Sequence, residues 1–375
     1  MKKLFLGFLA FMLVFFISIQ VKADQTKIKT VDGVQVIENP KKPAPPKGTL
    51  SKMTLKEEFS IGEGEFDEDM FAELTSLDVD GDGNIYILDR KDKKVKIFDS
   101  AGKFVKKFGE EGQGPGEMYL PISIQVTHNN EMVIGDAANQ RLMFFSLEGE
   151  FLREVSTALK AQSLVLPLFD SQGDIIGQQV VVTEESQIMR EVRKYDSELN
   201  SLFTITSIDI TSIVQGKINP FELVFFYQLG KDNDIYCSNP NEYEIKVLNT
   251  DGKLVKRILK DYDPVEVTDK DKEEFFERLG EVPAPVKDRI EFPKVYPPYQ
   301  NFTLDEEEMR LFVRTFEKGK EEGEFFLDVF DVEGRYIAKI PLKGEPRVWK
   351  AKKLYAVEED EDGFQTLKVY SIQWE

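Results

Sequence analysis

Three observations on the amino-acid sequence predict an all-β fold, a six-bladed β-propeller closed by an N-terminal strand. First, one short register returns five times: an apolar run, a turn residue such as Asp or Asn, two spacers, usually Gly, then a second run Φ-Φ-x-x-Φ. Its instances are Val95 to Phe108, Leu142 to Val155, Val192 to Ile205, Ile245 to Ile258 and Leu327 to Ile340. Each is a strand, a tight turn and a strand, and repetition at this length implies radial or solenoid stacking. Second, a further strand pair lies upstream of each register, so the unit has four strands, a to d, as a propeller blade does. Third, the two ends of the chain are fragments of a single unit.

The chain opens on a targeting segment. Lys2 and Lys3 form a basic start, Leu4 to Ile19 an apolar stretch, and Val21-Lys22-Ala23 a small-x-small site before Asp24. Residues 1–23 therefore read as a signal peptide, with an uncleaved anchor helix as the alternative. The expected location is the periplasm or the extracellular space. Residues 24–49 read as a tail, with one alternating run, Val31 to Ile37, before a proline-rich linker, Asn39 to Gly48. That composition suits an extended strap.

Residues 50–375 carry the blades. LTSLDVD, the turn GDGN and IYILD precede Val95 as strands a and b of the first blade; ISIQV, HNN and MVIGD precede Leu142 in the second. Gly102 and Gly149 lie 47 residues apart, and Leu199 occupies the third register's glycine place. Lys353 to Glu358 and Leu367 to Trp374 read as strands b and c of a last blade with no strand d after them. Leu50 to Ile61 has the d-type pattern with no partner before it, and LKEEF at Leu55 to Phe59 aligns with FVKKF at Phe104 to Phe108. The N-terminal strand is expected to complete the last blade, which removes the open edge.

One interval is too long. Gly252 to Gly334 spans 82 residues, so about 261–299 is expected to be an insertion on one face of the disc. Thr268 suits an N-cap, Asp269 and Asp271 the positive helix end, and Gly280 the close. Prolines rigidify the stretch that follows, where Phe292, Tyr296 and Tyr299 offer flat contact area; these three are the candidate ligand- or partner-binding residues. The alternative is that the rings pin the insertion to the disc, with Phe275, Phe276 and Leu279 as the helix's seating face.

Composition limits the chemistry. The chain carries 49 basic and 68 acidic residues, a net charge of −19. Without residues 1–23 the balance is 46 against 68, or −22. Such a surface repels nucleic acid and anionic lipid. Cys237 is the only cysteine, so no intrachain disulfide exists, and its strand context reads as a buried structural thiol. His128 is the only histidine and sits in a polar turn, which disfavours a Ser-His-Asp or Cys-His centre and excludes a two- or three-His zinc site.

Asp78, Asp80 and Asp82, with Gly83 and Asp89, match a calcium-loop spacing, so calcium is the one cofactor to consider. The flanks alternate as strands rather than helices, and D-G-D-G-N equally suits a plain a–b hairpin turn.

The first two blades resemble NHL-type repeats. The matching residues are Asp80 to Tyr86, Asp136 to Arg141 and the blade-linking loop Phe108 to Glu117. The whole layout resembles the exported six-bladed propeller proteins of bacteria, over roughly residues 31–375. The fourth repeat departs from the pattern, with Asn239 and Glu244 where Asp136 and Arg141 align. Some NHL-like propeller lyases rely on histidine and zinc, ligands that this chain cannot supply. The matching motifs specify a fold and name no ligand. A rigid disc with loops on its rim and no evident catalytic equipment reads as a binding or interaction propeller without catalysis, its partner a protein, glycan or small molecule. The alternative is a calcium-dependent hydrolase or lyase, lactonase-like, with its metal in the central channel.

Overall fold

Every repeat of the register folds as the outer half of a four-stranded antiparallel blade. The computed structural model describes residues 25–63, 70–162, 164–221, 225–239, 241–280, 283–305 and 307–375. The segment read as a signal peptide lies outside the described residues.

In order a to d, blade 1 is Leu74–Val79, Ile85–Asp89, Lys94–Phe98 and Phe104–Phe108. Blade 2 is Pro121–Val126, Glu131–Asp136, Arg141–Ser146 and Phe151–Ser156. Blade 3 is Val165–Phe169, Ile175–Val182, Ile188–Tyr195 and Ser201–Asp209. Blade 4 is Tyr227–Leu229, Ile235–Asn239, Glu244–Leu248 and Leu254–Lys260. Blade 5 is Asn301–Asp305, Arg310–Lys318, Glu324–Phe330 and Tyr336–Lys343. Blade 6 takes strands a to c from Glu345–Lys350, Lys353–Glu359 and Gln365–Trp374, and strand d from Met53–Ile61 near the start of the chain. Lys52 and Glu375 exchange backbone bonds beside that junction, at 2.8 and 3.1 Å. The expected closure is thus met, and the single free thiol, Cys237, is buried.

The core consists of apolar clusters between successive blades, one at each of the six junctions. A middle strand such as Ile85–Asp89 is buried on both faces, whereas the outer Phe104–Phe108 alternates. The register's glycine also serves the junctions. Gly149 and Gly334 have φ of 82° and 86°. A β-carbon on them would meet Phe108 and Ile258 of the preceding blade at 2.5 and 2.8 Å. Leu199 takes this left-handed place in blade 3 at φ 62° and is 1% exposed, packed in the cluster that Val155 borders. The backbone penalty is about 1–2 kcal/mol, and burying a leucine contributes about 1.5–3 kcal/mol. Burial wins there.

The N-terminal segment is not a tail. Lys27–Val31 and Val34–Asn39 form a hairpin, and the second strand pairs in parallel with the outer strand of blade 4, Ile37 opposite Ile258. Asn39, 3% exposed, accepts from the Tyr336 amide and donates to the carbonyls of Gly334 and Leu259. Ala44 then bonds Tyr336 at 3.0 Å on the way to blade 6. Residues 27–61 therefore tie blades 4, 5 and 6 together.

Candidate functional site

Alternating strand direction sorts the connections into two faces. Strand a–b and c–d hairpins share one, and b–c turns and blade-linking loops share the other. The insertion belongs to the linker face. Its helix, Asp269–Leu279, has a capping box: the Thr268 hydroxyl accepts from the Asp271 amide, and the Asp271 carboxylate accepts from the Thr268 amide. Lys318 of blade 5 donates to the other Asp271 oxygen at 2.7 Å. Burial opposes ionisation of Asp271, but these donors prevail and lower its pKa to about 2.

The three candidate aromatics divide. Tyr299 is 4% exposed, its hydroxyl donates to the Glu244 carbonyl at 2.9 Å, and its ring meets Tyr243 and Phe302. It is core between blades 4 and 5, out of reach of a ligand. Phe292 packs among Phe275, Phe276 and Phe221. Tyr296 stacks on Phe316 at 4.1 Å, and burial with the nearby Asp271 charge raises its hydroxyl pKa to about 12. Both are half-buried and pin the insertion. Leu279, expected on the seating face, points outward at 47% exposure because the rings fill that face.

The carboxylates of the calcium-like turn do not converge. Asp78 reaches the next blade, where one oxygen accepts from the Val126 amide at 2.7 Å. Asp80 accepts from the Asp82 and Asn84 amides, the Asn84 side chain and the Tyr86 hydroxyl, all within 2.9 Å. Burial pushes its pKa up, and this set of donors outweighs it and holds the carboxyl below its usual value. Asp82 is exposed. Among the described residues no group of three or more His, Cys, Asp or Glu side chains is gathered as metal ligands.

Asp78 shows how the centre of the disc is built. The innermost strands would leave their edges open to the channel, and side chains of neighbouring blades cap them. Ser76 accepts from the Ile124 amide at 3.2 Å, Gln125 from the Phe169 amide at 2.9 Å, and Lys350 donates to the Val79 carbonyl at 2.5 Å. The channel these strands enclose has a volume of about 380 Å³, within the range of small-molecule sites.

Its polar groups are uneven. Asn301 and Arg314 are directly opposite on strands a and b of blade 5, so their side chains share one face. Glu345 and Arg347 line the channel from blade 6. Arg347 pairs with Glu345 at 3.0 Å, and Asn301 donates weakly to the same carboxylate at 3.5 Å. The Arg347 Nε, Asn301 Oδ1 and Ser123 Oγ are buried without a hydrogen-bond partner. The Arg314 guanidinium lies 4.6 Å over the Phe325 ring. Burial holds Arg314 below the ordinary arginine range; Glu345 opposes this, and Arg347 and Arg278 of the insertion helix add to it.

Nothing in the sequence pattern separated these residues from other surface charges. Only the register that sets Arg314 beside Asn301 reveals them. At the hairpin face a second cavity of about 300 Å³ is lined by His128, Asp170, Lys231 and Asn233. His128, on the a–b hairpin of blade 2, therefore lies at the channel's other mouth. Lys194 pairs there with Asp170 and Asp174 at 2.9 and 3.0 Å.

These features define a closed propeller with a partly polar channel and an insertion braced on its linker face. The chain belongs to the DUF5128 family, 6-bladed beta-propeller, which residues 67–274 match. A putative exported protein of Bacteroides fragilis is similar over 90% of this chain and 99% of its own, at 14% identity and a TM-score of 0.56. A member of the duf4221 family from Bacteroides vulgatus is similar over 87% and 100%, at 13% identity and a TM-score of 0.50. Both likenesses show the fold alone. The human E3 ubiquitin-protein ligase NHLRC1 is 28% identical over 68 residues, 18% of this chain and 17% of that protein, in keeping with NHL-like repeats. The chain spans under a fifth of the length of the curated relatives it matches. No helix among the described residues is long and apolar enough to cross a membrane.

Proposed function

We propose that this is an exported, non-enzymatic binding protein whose recognition site is the linker-side mouth of the channel. The observation that carries the reading is the insertion. A capping box, an ion pair and an aromatic cluster brace it against the disc, yet Leu279, Val286 and Val295 stay 47%, 40% and 40% exposed. A rigid frame beside a preformed cavity binds with little ordering cost. Export is supported by the basic and apolar start of the chain and by the likeness to a protein described as putatively exported. A partner that is a nucleic acid is disfavoured by the net charge of −19.

Hydrogen exchange of the purified protein, with and without fractionated envelope and culture-medium extract, tests the site. Protection is expected in 261–300 and at the inner strands of blades 5 and 6. Protection restricted to the hairpin face, or none in any fraction, would reject the reading.

A further inference from the structure

The two a–b turns that flank the gap between blades 2 and 3 are uncharged at their tips. Thr127-His128-Asn129-Asn130 and Ser171-Gln172-Gly173 hold no acid or base other than the histidine. At the equivalent turns of blades 1, 4 and 5 stand Asp82, Lys231, Asp232 and Glu307. In a chain of net charge −19, the neutral tips coincide with a concavity. A cavity of about 360 Å³ runs outward between the two blades to Arg153 and Ser197. It adjoins the cavity of about 300 Å³ at the channel mouth along Thr127, His128, Phe169 and Asp170.

The ionisable groups of this groove balance. Its acids are Asp78, Asp170 and Glu131, and its bases are Arg153, Lys231 and Lys350. The acids are also committed inside the protein. Asp78 accepts from the Val126 amide, and Asp170 accepts from the Gln172 and Asp174 amides and pairs with Lys194. Glu131 pairs with Arg153, whose guanidinium lies 3.9 Å over the Phe144 ring. A charged ligand therefore finds no net field of opposite sign. An apolar ligand would strand free polar groups. The side-chain amides of Asn129, Asn130, Gln172 and Gln228 line the groove and make no hydrogen bond among the described residues. Each sets a donor beside an acceptor, and hydroxyl groups, which give and accept, are their complement.

Backbone recognition is closed off here. A peptide that adds a strand needs free amides and carbonyls along an edge. Gln125 already accepts from the Phe169 amide at 2.9 Å and donates to its carbonyl at 3.4 Å. The turns bond their own backbone, Asn130 to Thr127 at 3.0 Å and Gly173 to Asp170 at 3.1 Å. Recognition falls to the side chains.

We propose that the groove between blades 2 and 3, with the channel mouth it joins, binds a neutral oligosaccharide through hydroxyls on Asn129, Asn130, Gln172 and Gln228. The two cavities suit about two sugar units, one in each. The inference goes beyond the linker-side reading and does not rest on it, because it uses the opposite face of the disc.

An array of neutral, uronic and sulfated oligosaccharides, with peptides alongside, tests this on the purified protein. Saturable binding of at least one neutral oligosaccharide is expected, and with that glycan hydrogen exchange should slow over 127–131 and 170–174. Asn129→Ala combined with Gln172→Ala should weaken its binding about ten- to a hundredfold, the loss of two hydrogen bonds. Both residues are exposed and lie outside the left-handed region, so alanine fits their backbone. Binding of charged glycans alone, of peptides alone or of nothing on the array would overturn the proposal, as would unchanged affinity in the double variant. Protection of 261–300 by the glycan, with none at these turns, would overturn this site and leave the linker-side role standing.

Discussion

The junction between blades 1 and 2 and the junction between blades 4 and 5 solve one problem in two ways. At the first, a short linking loop is locked by the turn residues of the repeat. Asp136 accepts from the amides of Tyr119 and Leu120, both at 2.9 Å. Arg141 donates to the carbonyls of Gln113, Gly114 and Glu117 and pairs with Glu154 at 2.7 Å. Asp and Arg thus hold the loop, each from its own side. At the second junction blade 5 opens its strand c with Glu324 where blade 2 has Arg141, and Glu324 turns onto its own b–c turn, accepting from the Lys320 amide at 2.7 Å. The linking segment, released from that grip, runs from 261 to 300. Asp328, Lys260, Tyr243 and Tyr336 hold the blades together instead, with Asn39 of the N-terminal hairpin beside them. Where the repeat's turn residues are lost, the loop grows, and long-range polar contacts take over its structural task.

The largest effect should follow from removing the substitute. Asp328 is fully buried and accepts from the Tyr243 and Tyr336 hydroxyls at 2.6 and 2.5 Å, with the Lys260 ammonium at 3.2 Å. Asp328→Ala leaves that ammonium buried and uncompensated, a loss of about 3–5 kcal/mol. Urea unfolding should show the unfolding free energy falling by that amount, as a lower midpoint at unchanged slope. A change under about 1 kcal/mol would mean that the junction rests on its apolar cluster alone.

The matching change at the regular junction is smaller. Arg141→Ala strands three carbonyls beside a loop that can reach water, so the cost is about 2–3 kcal/mol. Hydrogen exchange should accelerate over 110–119 and stay unchanged over 269–279. Equal acceleration in both segments would show that the two junctions are not independent.

The contrast also separates what the sequence revealed from what it concealed. The c–d register is legible because its glycine place meets two local demands, a positive φ and a close approach by the preceding blade. Leu199 fits because the neighbouring blade presents Val155 rather than a phenylalanine. The split blade is legible because an orphan d-type strand and a missing one are complementary. The pairing of Ile37 with Ile258 is not, since a parallel contact across more than 200 positions leaves no local trace. Nor does a proline-rich run have a period, so spacing could not tell buried Tyr299 from the bracing rings Phe292 and Tyr296. The role of Asp78 is hidden for a related reason. Its spacing suggested a calcium turn, whereas its side chain caps a strand edge in the next blade. Arg314 and Arg347 lie on strands of two blades and become neighbours only when the ring closes.

The smallest effect discriminates the insertion from the disc beneath it. Asp271 has its pKa depressed to about 2 from the usual 3.8 because its ionised form is held by Thr268 and Lys318. A depressed carboxylate contributes stability that is fully present above its unfolded value. That contribution is lost as pH falls from about 4 through 2. Lys318 is half exposed, so solvent screening reduces the ion pair's share, leaving about 1–2 kcal/mol. Acid should therefore loosen the helix Asp269–Leu279 while the blades remain paired. Peptic cleavage within 269–299 should begin in this window for the natural protein. In Asp271→Asn the cap persists without its charge, so cleavage should begin at higher pH and depend less on it. The same onset in both proteins would mean that the aromatic cluster alone holds the insertion, and the ion pair with Lys318 would then contribute nothing to its docking.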